Sequence, residues 1–325
     1  MPEGLKWGII GTGKMSTLFT RCLAGAKHAS LYGVASRNKD HAAKFAAELN
    51  VPNFFGSYSE LIKDPTVEAI YVGTPHTHHR DWVLSALANG KHVLCEKPMG
   101  VTLMECNEMI AMAKKTKRVL LEAFMYRVHP QTIKLQEVLN DGRIGEIRTI
   151  RSAFCYGLFS DAYNVRLDKE LRGGGLYDVG SYCINFSRMV AGEEPIRVEA
   201  LWKLGEESGV DEALNCIMQF PSGSLALFDV GIRSTGNSYA EIIGSKGRII
   251  IPNPWKPHPV KSSFYIYAED KNEEVVINKG GNIYSLEADH LAEVVAGETE
   301  PLISTKDAMN NAIVLEQIWK RIHGA

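Results

Sequence analysis

The 325 residues include only six cysteines, at 22, 95, 106, 155, 183 and 216, and none belongs to a CxxC pair. Thiols scattered in this way exclude a disulfide framework and fit a reducing compartment, so a cytoplasmic location is expected. Neither sign of charge is in surplus. Lys and Arg total 36 against 38 Asp and Glu, a formal charge of -2, which removes the electrostatic case for nucleic acid or an anionic membrane as partner. No uninterrupted apolar run is long enough to span a bilayer. The first strand begins almost at once, so a signal peptide is not expected. Internal repeats and low-complexity segments are missing as well. What is present is a chain 45% hydrophobic and 23% charged, the balance of a soluble globular protein. It is too long for one ordinary core, so two domains are expected.

The chain is organised around Leu5–Ile10 and the turn Gly11-Thr12-Gly13-Lys14-Met15-Ser16, with a helix expected from Met15 to Leu23. Gly11 permits a tight turn, and Gly13 lets the backbone approach a pyrophosphate. The helix that follows aims its free N–H groups and positive dipole end at the phosphates. Ser16 is the third small position, where the full dinucleotide fingerprint has Gly or Ala. A GxGxxS string also occurs in glycine turns with no ligand. Its place directly after the first strand is what favours a nucleotide site.

Strands and helices then alternate. Strands are expected at Ala29–Ala35, Val67–Val72, His92–Cys95 and Val119–Phe124. Between them lie helices at Lys39–Leu49, around Trp82–Leu87, and from the Thr102/Glu105 capping box to Ala113. This pattern predicts an α/β architecture, with a doubly wound parallel sheet of the Rossmann kind over residues 1–125 and a ligand crevice at the carboxyl ends of its strands. An NAD site would place Asp or Glu at the end of the second strand, to hold the ribose 2′-hydroxyl. Ser36-Arg37-Asn38 stands there instead, and a hydroxyl beside a guanidinium suits a 2′-phosphate. NADP is therefore expected over NAD.

Two further motifs fall at strand ends. Gly73-Thr74-Pro75-His76-Thr77-His78-His79 brings three histidines together, but their spacing matches no zinc pattern and no acidic or cysteine ligand adjoins them. No metal is expected, and the segment reads as a loop lining the nicotinamide crevice. Glu96-Lys97-Pro98 follows a buried-type strand. Its lysine is either a surface cation paired with Glu96 or a cation at the bottom of the substrate crevice.

Over residues 126–325 the pattern changes. A helix is expected at Pro130–Leu139 and a strand from Ile147 to Phe154. Hairpins follow at Asn215–Phe220/Leu225–Ile232 and Ala240–Ile243/Arg248–Ile251, with strands at Phe264–Ala268 and Glu274–Ile277. Strands joined by hairpins imply a mainly antiparallel sheet. The proline-rich run 252–259 is unsuited to a central strand, and helices near Ser285–Ala296 and Thr305–Ile322 close the chain. Gly173-Gly174-Gly175 leads into a helix expected over Leu176–Val190, on which Asp178 and Tyr182 are i, i+4 and share a face. From periodicity alone they are equally an N-terminal helix carboxylate and a half-buried core tyrosine.

Taken in this order and spacing, the Gly11-Thr12-Gly13 turn, the Thr74-Pro75 loop, Glu96-Lys97-Pro98 and the Gly173–Tyr182 element resemble the glucose–fructose oxidoreductase, inositol dehydrogenase and rhizopine-catabolism (Gfo/Idh/MocA) family. The resemblance covers nearly the whole chain. Arg127, His129 and Pro130 make it most similar to the branch holding dimeric dihydrodiol dehydrogenase and NADP-dependent D-xylose dehydrogenase. Many members have His where this chain has Tyr182, which argues against an inositol-dehydrogenase type of Asp/His pair. The resemblance implies a C-terminal α+β domain with a large open sheet, used for substrate binding and for a homodimer or higher assembly. It also implies reversible oxidation of a sugar or trans-dihydrodiol hydroxyl, and a cis bond between Lys97 and Pro98 in the Glu96-Lys97-Pro98 turn. Lys97, Tyr182 and Asp178 are then the expected catalytic residues. Gly11, Thr12, Gly13, Lys14, Met15, Ser36, Arg37, Thr74, Pro75, His79, Glu96, Lys97 and Arg127 are expected to bind the cofactor. His76, Phe154, Lys97, Asp178 and Tyr182 are expected at the substrate. A reductase of sugar-derived ketones or dicarbonyls and a non-catalytic dinucleotide sensor are the alternatives, and a pure sensor has no need of Lys97 or Tyr182 as acid or base.

Overall fold

The computed structural model describes residues 4–160, 163–268 and 271–324. The chain divides into two compact units. One comprises residues 1–128 with 282–312, the other 129–281 with 313–325.

The first unit is a six-stranded parallel sheet with strand order β3-β2-β1-β4-β5-β6. Its strands are β1 (Leu5–Ile10), β2 (Ala29–Ala35), β3 (Asn53–Phe55), β4 (Ala69–Val72), β5 (His92–Glu96) and β6 (Leu120–Ala123). Five helices run between them: α1 (Lys14–Leu23), α2 (Lys39–Leu49), α3 (Tyr58–Lys63), α4 (His79–Ala88) and α5 (Leu103–Thr116). Near-continuous apolar strands such as Ala69–Val72, buried throughout, are what a sheet covered on both faces requires. Ile10, Ile70 and Val72 pack with Leu61, Val83, Leu87, Met109 and Ile110 on one face. On the other, Trp7, Phe19 and Tyr71 form an aromatic core, with the Phe19 and Tyr71 rings stacked at 4.0 Å. Strand order reverses between β1 and β4, and both end at glycines. Gly11 N–H donates to Ala35 O at 3.1 Å, and Gly73 N–H to Ile10 O at 3.1 Å.

Two elements of this unit were not expected, β3 and α3. The strand is three residues long at the sheet's edge, and Ser57 starts the helix by accepting the Glu60 N–H. A single chain switch near residue 125 is not what the packing shows, because residues 282–312 belong to the first unit. α8 (Ile283–Ala296) carries Asp289, whose Oδ1 accepts the Lys27 and His28 N–H groups at 2.7 and 2.8 Å. Hydrogen bonds from an amide to a carboxylate are each worth about 1.5–3 kcal/mol, which is ample to hold the segment there.

The second unit is an eight-stranded sheet of order β14-β13-β12-β11-β7-β10-β9-β8. Its strands are β7 (Ile147–Gly157), β8 (Arg197–Leu204), β9 (Asp211–Gln219), β10 (Leu225–Gly231), β11 (Arg233–Gly244), β12 (Gly247–Ile251), β13 (Lys261–Ala268) and β14 (Asn272–Asn278). Every pairing is antiparallel except β7 with β10. The helices are α6 (Pro130–Asn140) and α7 (Ser181–Ala191), and the last helix, α9 (Thr305–His323), ends in this unit. Side chains alternate between buried and exposed over 214–218 of β9 and 225–228 of β10. Leu214, Cys216, Met218, Ala226 and Phe228 are buried, while Ile217, Leu225 and Leu227 on the same strands are exposed. β8 was not expected. It is an edge strand with mostly exposed side chains, so the apolar run that marks a core strand is lacking.

Candidate active site

At the head of α1 the glycine turn has the form a phosphate site needs. Gly11 has φ +98°, the left-handed region open to glycine. Gly13 is the residue before α1; no side chain caps the helix there, and its first turn carries no acid. A Cβ built on Gly13 would meet nothing within 4 Å, so the backbone faces open space. α2, α3, α5 and α8 are capped by Asn38, Ser57, Thr102 and Asn282, while α4 and α7, like α1, start without a side-chain cap; only at α1 is the uncapped start preceded by the Gly11-Thr12-Gly13 turn. The residues therefore fit a dinucleotide phosphate. Ser36, at the end of β2, is buried, and Asn38 is engaged as the cap of α2. Arg37 is exposed beside the Tyr58 hydroxyl. Among residues 72–79, the Thr74 and Thr77 hydroxyls are buried without a partner.

Three expected cofactor residues make contacts within the protein. His79 is fully buried, with Nδ1 2.9 Å from Pro98 O and Nε2 2.9 Å from Thr74 O. Two carbonyls would satisfy a cation, but burial, helped by the Lys97 ammonium, pushes the imidazole down to about 4. It lies between the Thr74 loop and the Lys97-Pro98 turn, and in its neutral form its single N–H donates to one of the two carbonyls. Arg127 pairs with Asp307 at 3.1 Å and donates to Leu302 O at 2.9 Å. Glu96 is buried and accepts the Tyr71 hydroxyl. The surface reading of Lys97 therefore falls: it is 9% exposed, beside a carboxylate turned into the core. The Lys97-Pro98 bond is cis, as expected.

In the second unit the triple glycine builds the turn that carries Asp178. Gly174 has φ +108°, and its N–H donates to Arg166 O at 2.8 Å. A Cβ on Gly174 would lie 2.0 Å from Asp211 Oδ1, and one on Gly173 would lie 2.5 Å from Arg166 O. Asp211 accepts the Leu176 N–H at 2.6 Å, and burial raises its carboxyl to about 7. The Leu176–Val190 helix expected from the sequence does not run straight. Residues Leu176–Gly180 form a wide π turn, and α7 begins at Ser181. Such turns recur at functional sites. Asp178 lies in the first turn of that segment and is held by side chains as well. Its Oδ2 accepts the Tyr156 hydroxyl and the Arg166 Nε, the latter at 2.9 Å. Tyr182, 5% exposed, lies in an aromatic group. Its ring is 5.4 Å from Phe154 and 6.0 Å from Trp255, and Phe154 stacks on Trp255. Trp255 comes from the proline-rich run and is fixed by its indole N–H on Ala153 O at 2.9 Å. Tyr156, Arg166 and Trp255 were not expected here. Among the described residues, no group of three or more His, Cys, Asp or Glu could hold a metal ion.

Residues 5–124 match the model of an oxidoreductase family with an NAD-binding Rossmann fold, and residues 132–250 match the C-terminal domain of the same Gfo/Idh/MocA family. The chain belongs to the Gfo/Idh/MocA family. It is 34% identical to the trans-1,2-dihydrobenzene-1,2-diol dehydrogenase of Mus musculus, over 98% of this chain and 97% of that protein. The Homo sapiens protein of the same name is 33% identical over the same shares. An aldose-aldose oxidoreductase from Caulobacter crescentus superposes with a TM-score of 0.89 at 26% identity, covering 99% of this chain and 98% of that one. A 3-ketoreductase from Actinomadura kijaniata, solved with NADP, shares the fold with a TM-score of 0.88 at 24% identity, covering 97% of this chain and 96% of that one. As a member of the Gfo/Idh/MocA family, this chain is an NAD(P)-dependent oxidoreductase.

The glycine geometry is directly testable. Gly192 also has positive φ, at +67°, but a Cβ there meets open space. Gly192→Ala should cost about 1 kcal/mol, from backbone strain alone. Gly174→Ala adds a clash with Asp211 and should cost several times more, on the order of 3 kcal/mol. Denaturation midpoints compare the two, and equal costs would disprove the packing argument.

Proposed function

We propose that the chain is an NADP-dependent dehydrogenase of a sugar or trans-dihydrodiol hydroxyl, running reversibly in the reducing cytoplasm that six free cysteines fit. The observation that carries this reading is the uncapped start of α1 at Gly13, together with a Ser36-Arg37 pair where an acid would select NAD. Bound dinucleotide accepts or returns the hydride. The chain's own groups handle the proton. Tyr182 removes it from the reacting hydroxyl, Lys97 favours the phenolate that does so, and Asp178 orients the substrate. Phe154, in edge contact with the Tyr182 ring, offers an apolar surface to a carbon ring. Thr74, Pro75 and His76 border the nicotinamide end of the cofactor. The curated relatives named for a trans-dihydrodiol support the diol, and the aldose-aldose oxidoreductase supports the sugar. Both present a hydroxyl beside the one that reacts.

The outer face of the eight-stranded sheet supports a homodimer. Leu201 is 79% exposed, and Ile217, Leu225 and Leu227 extend the apolar surface across neighbouring strands. Contiguous exposed apolar area of this kind marks an interface. Light scattering at micromolar protein should return a dimer or larger; a monomer would contradict the assignment.

Wild type should show a higher kcat/KM with NADP than with NAD, and Arg37→Asp should reverse that order. An NAD-favouring wild type would sink the cofactor assignment. Lys97→Met and Tyr182→Phe should each lower kcat by at least about a hundredfold with NADP binding nearly intact. The double variant should be little worse than the worse single one, as for groups acting as a unit. Near-normal turnover of Tyr182→Phe across pH 6–9 would remove Tyr182 as the base.

A further inference from the structure

Asp178 is held from two elements at once. Tyr156 stands near the end of β7, Arg166 in the short turn Val165–Leu167, and both donate to the same oxygen, Oδ2. The Asp178 side chain is only 10% exposed and that of Arg166 27%. A pair that merely ties a loop to a turn needs one donor and can stay in solvent, where it is worth about 0–1 kcal/mol. This one is sheltered and doubly made, and its loop is itself built to hold it. Asn164 Oδ1 accepts the Arg166 N–H at 3.1 Å, and Arg166 O accepts the Gly174 N–H at 2.8 Å. At the loop's far end the Arg172 guanidinium lies 3.5 Å over the Trp319 ring.

The electrostatics separate the roles of the two tyrosines. Burial and the Asp178 charge push the Tyr156 hydroxyl well above its usual range, so it stays protonated as a donor and is not a base. Arg166 sets a guanidinium against the Asp178 carboxylate at 2.9 Å. Asp211, from β9, accepts the Leu176 N–H of the same turn.

We propose that Tyr156 and Arg166 are positioning residues that fix Asp178 as an anionic acceptor for the substrate hydroxyl next to the one being oxidised, and so impose a preference for a vicinal diol over a mono-alcohol. This rests on the dehydrogenase reading above. It adds a specificity device that neither the glycine turn nor the Lys97 and Tyr182 pair supplies.

The test compares trans-cyclohexane-1,2-diol with cyclohexanol, using wild type, Tyr156→Phe, Arg166→Met and Arg166→Lys, with Asp178→Asn as reference. Tyr156→Phe and Arg166→Met should each cut the diol-to-mono-alcohol ratio of kcat/KM by about tenfold, chiefly through KM for the diol. Arg166→Met should also move the acid limb of the diol profile to higher pH, because a lost cation raises the carboxyl pKa. Arg166→Lys should recover most of both effects. Equal losses on the two substrates, or an unmoved acid limb, would overturn the proposal and leave a structural tie. An activity-independent measurement runs beside it: the carboxyl 13C titration of labelled aspartate, with Asp178 assigned by its loss in Asp178→Asn. The midpoint should rise in Arg166→Met, and an unchanged midpoint overturns the proposal. If wild type oxidises neither alcohol nor any sugar, the dehydrogenase reading fails, while the titration still decides whether Arg166 governs Asp178.

Discussion

An α-helix begins with backbone N–H groups that its own turns cannot satisfy, and at α1 the protein leaves them without a side-chain cap. Much else in the first unit follows from that choice. The turn before the helix is built on glycine: Gly11 takes a left-handed φ, and Gly13 leaves open space in front of the helix. The helix must start beside the point where strand order reverses, which places β1 and β4 at the centre of the sheet. Strands so placed are covered on both faces, which explains why Trp7, Ile9, Ile10, Tyr71 and Val72 are all inaccessible. A ligand site open to solvent is thus supported by one of the driest parts of the molecule.

The second unit solves a different problem, how to hold a charge still. Asp178 sits on a turn whose path is set by glycines packed against Asp211 and the Arg166 carbonyl. Its carboxylate is gripped from β7 and from the loop that follows it. Tyr182, four residues on, is held by aromatic rings instead. The two candidate reacting groups of this unit therefore sit in unlike surroundings, one polar and one apolar, although a single short segment carries both.

The parallel sheet was readable from the sequence because each of its central strands is a short apolar run ended by a turn signal, as at Ile10-Gly11 and Val72-Gly73. The glycine turn, Glu96-Lys97-Pro98 and the Asp178–Tyr182 element were readable as local strings. The parallel β7–β10 pairing was not, since nothing local in Ile147–Gly157 names a partner some seventy residues away. Nor was β8, whose exposed side chains give no core signal. The supports of Asp178 escaped notice because Tyr156 and Arg166 carry no motif; only the fold brings them to one oxygen. The contacts of His79 with the Thr74 and Pro98 carbonyls, of Arg127 with Asp307 and of Glu96 with Tyr71 were equally invisible, because each partner is distant in sequence or carries no motif.

Because residues 282–312 complete the first unit, that unit is discontinuous in the order of synthesis. At about 5–20 residues per second, roughly 8–35 s separate the emergence of β6 from that of the helix carrying Asp289. Throughout that interval the Lys27 and His28 amides lack the carboxylate they later bind, and the sheet face around Tyr71 lacks α8. The first unit to be translated is thus among the last to be finished. A chain stopped short of residue 282 would lose part of its nucleotide-binding half along with its C-terminus.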